Sequence, residues 1–130
     1  MMKKLLLIGS LAGFGALAMT GCYNDNSEEL YPKVPVTNCD TANLSFSATV
    51  APIFNTNCAA AAGCHKTGSN TGGYILDGYE GAKQAANSGR LIGAINWLPG
   101  HSQMPKGGSK LSDCDILKIE TWVNRGTPNN

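Results

Sequence analysis

Apolar residues in the second half of the chain recur with the spacing of α-helices. Phe46, Val50, Ile53 and Phe54 form a stripe at i, i+4, i+7 and i+8, which predicts a short helix running towards Cys58. Glycines then interrupt the pattern between residues 63 and 73, and two more short helices are predicted near 79–87 and 91–97. Since no alternating pattern typical of a strand competes with these helices, the sequence predicts an all-α fold.

A fourth helix has the clearest ends. Ser112 followed three residues later by Asp115 is a capping signature for its start, and Gly126 with Pro128 predicts its end. The inner face of this helix is predicted to carry Ile116, Ile119 and Val123. The other expected core residues are Ile75, Leu76, Leu91, Ile95, Trp97 and Trp122.

The beginning of the chain has the layout of a bacterial export signal. Lys3 and Lys4 precede an apolar run that ends in small residues and Cys22, as in a leader that is cleaved before a lipid-modified cysteine. The alternative, an uncleaved membrane anchor, is less well supported because the run is shorter than the roughly 18 residues that a spanning helix requires. The predicted organisation is a signal peptide at 1–21, a polar spacer at 22–38 and a folded domain at 39–128, outside the cytoplasm and attached by lipid on the periplasmic side or at the cell surface.

The charge of the chain excludes some partners. It has 10 Lys and Arg residues and 9 Asp and Glu residues, and two of the lysines lie in the predicted leader. A nearly neutral domain without a basic cluster gives no reason to expect nucleic-acid binding or electrostatic attachment to an anionic bilayer. We therefore expect the lipid on Cys22 to provide the contact with the membrane.

The candidate chemistry lies at Cys58, Cys64 and His65, which form a C-x5-C-H pattern. A cysteine followed by a histidine can bind a haem covalently through a thioether and ligate its iron through the imidazole, as in the shorter C-x-x-C-H signal. Met104, which precedes a proline in a Gly-rich loop, supplies a thioether for the other side of the iron. The sequence thus predicts one covalent haem, with Cys58 and Cys64 as attachment residues and His65 and Met104 as axial ligands.

Each of these residues also has a simpler interpretation. Cys58 and Cys64 can form a small disulfide loop, which an exported domain permits, and a methionine such as Met104 often fills a core. His101, three residues before Met104, is the other candidate for the sixth ligand.

Several segments together resemble the small lipoprotein cytochromes c of the planctomycete-type branch. The resemblance covers about residues 46–128 and rests on VAPIFNTNC (50–58), CH (64–65), GGYIL (72–76), GRLIGAI (89–95), MPKGG (104–108), LSDCDI (111–116) and WVNRG (122–126). It implies a compact cytochrome c fold in which N-terminal and C-terminal helices cross around one haem, and it implies the same roles for Cys58, Cys64, His65 and Met104. The attachment loop is longer than in the short motif, where Ala61 would hold the place of the first cysteine. Cys58 is therefore the less certain attachment residue.

The remaining cysteines form a predicted pair. If Cys22 carries lipid and Cys58 and Cys64 carry haem, Cys39 and Cys114 are left to form a disulfide, but two disulfides and no haem account for the cysteines equally well. The preferred hypothesis is a monohaem electron carrier between redox partner proteins, not an enzyme. The alternatives are a haem-free, disulfide-linked surface lipoprotein with a binding role and, less favoured, a peroxidase-like enzyme with an open distal side.

Overall fold

The structure, a computed structural model, describes residues 38–59, 63–69 and 71–130. The predicted leader, Cys22, the spacer up to residue 37 and Ala61 lie outside these residues.

All regular structure in the described residues is helical, which confirms the prediction of an all-α chain. The α-helices are α1 (Ala51–Asn57), α2 (Tyr79–Asn87), α3 (Arg90–Asn96) and α4 (Asp113–Asn124), with a π-helical turn at Phe46–Val50 and a 3₁₀ turn at Thr71–Gly73. In this part of the chain no helix has the length and apolarity needed to cross a membrane.

The first predicted helix forms in two parts. The amides of Val50 and Ala51 donate to carbonyls five residues earlier, on Ser45 and Phe46, which is the wider π pattern. Regular α geometry begins only at Ala51, which places Pro52 in the first turn of α1. Because proline lacks an N–H and its ring presses against the carbonyl four residues earlier, the wider turn before it accommodates the ring without ending the helix.

The core lies where the π-helical turn packs against α4. Trp122 of α4 is fully buried, and its ring centroid lies 5.4 Å from that of Phe46 and 6.3 Å from that of Phe54. The chain also packs α2 against α3 and α3 against α4. Buried aromatic contacts therefore join the first helical segment to the last.

The chain after α4 crosses this core as a strap, residues 126–130. The indole N–H of Trp122 donates to the carbonyl of Pro128 (3.0 Å), and the hydroxyl of Tyr79 donates to the carbonyl of Thr127 (2.9 Å). The strap therefore binds both α4 and α2.

The last residue of the strap caps the π-helical turn. The side-chain oxygen of Asn130 accepts from the amide of Phe46, and its backbone carbonyl accepts from the amide of Ser47, both at 2.9 Å. Amides at a helix start lack partners within the helix, so Asn130 satisfies donors that would otherwise need water. The sequence prediction ended the domain at residue 128 and missed this contact.

The structure contains the disulfide predicted between Cys39 and Cys114, whose Cα atoms are 5.5 Å apart. It ties the segment before the first helical turn to the first turn of α4, across 75 positions of sequence. In the chain-entropy account, a crosslink that closes a loop of this length stabilises the fold by about 4 kcal/mol.

Ile75 and Trp97, both expected in the core, are not buried. Ile75 is 42% exposed, so its prediction as core was wrong, whereas Leu76, Leu91, Ile95 and Trp122 are buried as expected. Trp97 is only half-buried and lies directly after α3.

Candidate functional site

His65 is held in one orientation by a backbone carbonyl. Its Nδ1 lies 2.9 Å from the carbonyl oxygen of Tyr74, and the residue is only 9% exposed. A carbonyl oxygen can only accept a hydrogen bond, so we assign the proton of the neutral imidazole to Nδ1. This tautomer leaves the lone pair of Nε2 available to a metal.

The backbone of His65 is fixed on both sides. Its amide donates to the carbonyl of Cys58 (2.8 Å), and its own carbonyl accepts from the amide of Leu76 (2.6 Å). The second bond closes a loop, which we call the His65 loop (residues 65–77). This closure brings residue 74 back to the imidazole.

A second contact closes the His65 loop near the surface. The carboxylate of Asp77 accepts from the amide of Thr67 (2.6 Å) and from its hydroxyl (3.1 Å). These bonds, with the amide bond the largest contribution, lower the pKa of Asp77 below its usual value. Neither Thr67 nor Asp77 was predicted to have a role, because nothing in the order of residues shows which group an aspartate in a polar loop will contact.

The two candidate attachment cysteines differ in environment. Cys58 follows α1 and is buried, whereas Cys64 is exposed; the structure holds both as thiols. Burial, and to a smaller extent the neighbouring Cys64, raises the pKa of the Cys58 thiol to about 11. Cys58 is therefore protonated at neutral pH, and Cys64 is the thiol that solvent and reagents reach.

Met104 is fixed by the end of α3. Its amide donates to the carbonyl of Ala94 (3.1 Å), and its carbonyl accepts from the indole N–H of Trp97 (2.9 Å). The residue is half-buried. Its backbone is therefore held from both sides, although it lies in a Gly-rich loop.

His101 packs against α3 in another way. It is exposed, and its imidazole covers the backbone of Gly93 so closely that a Cβ on Gly93 would collide with the ring. Its amide donates to the carbonyl of Leu98 (3.2 Å). The absence of a side chain at Gly93 is what admits the His101 ring.

The hydrogen bonds of the candidate residues lead to different parts of the fold. The amide of His65 bonds to the carbonyl of Cys58, whereas the backbone bonds of Met104 lead to α3 and Trp97. In the described ranges no three His, Cys, Asp or Glu side chains are gathered as they would be around a metal ion. An open groove of about 800 Å³ borders the His65 loop, but its lining, which includes Ile75, Asp77 and Tyr79, contains none of the candidate residues.

Comparison with known proteins gives no further guide. The chain matches no family model, and no curated protein or solved structure is significantly similar to it.

Proposed function

We propose that this chain is a monohaem c-type cytochrome that carries single electrons between redox partner proteins of the cell envelope. The observation that supports it most is the hydrogen bond between His65 Nδ1 and the carbonyl of Tyr74. Metal-ligating histidines are typically held in this way, since the bond fixes the tautomer and the direction of Nε2. In this proposal, the hydrogen bond orients His65 as a ligand before any metal is bound.

The residues around His65 fit a covalent haem. Cys64 is adjacent in sequence and exposed, so its thiol is accessible for thioether formation. Cys58 is linked to His65 through its carbonyl and lies at the end of α1. In this proposal Cys64 is the principal attachment residue and Cys58 the second.

Met104 completes the proposed site. A haem would supply one-electron redox chemistry when bound, and His65 and Met104 would be the two residues that hold its iron. With both residues bound, the iron would have no position left for peroxide, which favours an electron carrier over the peroxidase-like alternative.

The proposed location rests on the sequence. The leader at 1–21 and lipid on Cys22 would place the domain in the cell envelope, on the periplasmic side or at the cell surface. Incorporation of labelled fatty acid tests this location, and a Cys22→Ser variant that still takes up label would contradict it.

The haem-free alternative is a disulfide-linked surface lipoprotein with a binding role. In it, a second disulfide would join Cys58 and Cys64, which are both thiols in the structure.

A visible spectrum tests the proposal. The full chain is expressed together with a cytochrome c maturation system, purified and reduced. We expect the sharp absorption bands of low-spin haem c; a folded, correctly exported protein without them would contradict the proposal.

A further inference from the structure

Trp97 occupies a backbone conformation that ordinarily selects glycine. It follows α3 with φ 61° and ψ 35°, in the left-handed region. Helices often end with such a residue, but it is usually glycine, because a bulky side chain is strained there. A strained residue persists only where its surroundings hold it, and such residues concentrate at functional sites.

The contact that holds Trp97 leads to Met104. The indole N–H of Trp97 donates to the Met104 carbonyl at 2.9 Å, and the Met104 amide donates to Ala94 at 3.1 Å. Both backbone polar groups of Met104 are therefore bound to the last turn of α3 and the residue that ends it. A glycine at position 97 would end the helix without strain but would leave the carbonyl of Met104 without this donor.

We propose that Trp97 is a positioning residue for Met104. Its indole N–H fixes the backbone that carries the thioether side chain. This inference rests on the proposed function, because Trp97 has a positioning role only if Met104 is an axial ligand. Thioether sulfur is a weak ligand, so its bond to iron is sensitive to the entropy lost when its loop becomes ordered. A loop that is ordered in advance reduces that loss.

The test compares two tryptophans that make the same kind of bond. Trp97 donates to the carbonyl of Met104, and Trp122 donates to the carbonyl of Pro128 in the strap. Trp97→Phe and Trp122→Phe each remove one indole N–H, but only the first removes a bond to Met104. Added imidazole competes with Met104 for the iron, so its apparent affinity for the oxidised, haem-loaded protein reports how firmly Met104 is held.

We expect Trp97→Phe to bind imidazole roughly two- to tenfold more tightly than the parent, the range that loss of one hydrogen bond gives. Trp122→Phe should lower thermal stability and leave the imidazole affinity unchanged. Equal affinities in the parent and Trp97→Phe, or an equal increase in both variants, would overturn the positioning role.

A second measurement needs no variant. In the haem-loaded parent, the indole N–H of Trp97 should exchange slowly with solvent and should exchange faster once imidazole has displaced Met104. An indole N–H that exchanges at the same rate in both states would overturn the inference. If the parent carries no haem, or lacks the near-infrared band of an iron–thioether bond, the proposed function itself has failed, and that outcome is recognised before Trp97 is tested.

Discussion

Nδ1 of His65 lies 2.9 Å from the carbonyl oxygen of Tyr74, nine positions along the chain. The His65 loop brings these residues together through the bond between His65 and Leu76 and the contact of Thr67 with Asp77. The loop therefore determines that Nδ1 of His65, and not Nε2, contacts this carbonyl.

Replacing His65 by alanine should remove the proposed proximal ligand without removing the proposed attachment thiols. We expect haem to stay bound through Cys64 while the iron becomes high-spin, because an axial position is left open to water or another weak ligand. Absorption and electron paramagnetic resonance of the oxidised protein measure the spin state. A low-spin spectrum like that of the parent would show that His65 is not a ligand.

Replacing Met104 by alanine should remove the near-infrared charge-transfer band of iron–sulfur ligation. The reduction potential should fall as well, because thioether ligation stabilises ferrous iron relative to ligation by two imidazoles. The matched control is His101→Ala, which should keep both the band and the potential. The reverse result, in which only His101→Ala changes them, would assign the sixth position to His101 and give a carrier of lower potential.

The sequence predicted the helices well because their signals are local. The bounds of α2 agree with the predicted 79–87, and Ser112 caps α4 by accepting from the amide of Asp115, as its spacing indicated. The π-helical turn was missed because apolar spacing alone does not distinguish an i→i−5 helix from an α-helix. Here Pro52 accounts for the difference.

The sequence predicted which side chains belong to the candidate site, but not the contacts that hold them. Cys64 and His65 stand out as a pair, but the partner of His65 is the carbonyl of Tyr74, and every residue has a carbonyl. The contact of Trp97 with Met104 and the cap from Asn130 likewise depend on where distant segments meet. These contacts have no signature in the order of residues.

The strap offers a test of stability that is independent of haem. Asn130→Ala removes the side-chain acceptor of the Phe46 amide, and loss of such a cap typically costs about 1 kcal/mol. Unfolding in urea measures this cost. Asn129→Ala, at the exposed neighbouring residue, is the matched control. It should change the free energy of unfolding of the protein by less than about 0.5 kcal/mol. Equal effects of the two substitutions would remove the assigned role of Asn130.

The contact between Thr67 and Asp77 predicts that the stability of the fold decreases at acid pH. Because the pKa of Asp77 is lowered in the folded state, its ionised form stabilises the fold. This contribution is fully present above the unfolded pKa of about 4 and is lost as the pH falls through the lower folded value. The parent should thus be more stable than Asp77→Asn at pH 6, and the difference should shrink below pH 4.

Thermal unfolding at a series of pH values measures that difference. Asp40→Asn, at an exposed aspartate outside the His65 loop, serves as the control. A difference between parent and Asp77→Asn that is constant from pH 6 to pH 2 would contradict the assigned interaction.

The mass of the denatured polypeptide tests the central claim most directly. After expression with a cytochrome c maturation system, the parent should keep the mass of one haem under denaturing conditions, because a thioether survives unfolding. Cys64→Ser should lose the haem, and Cys58→Ser should keep it through a single thioether. A parent polypeptide with no added haem mass would contradict the proposal that this chain is a c-type cytochrome.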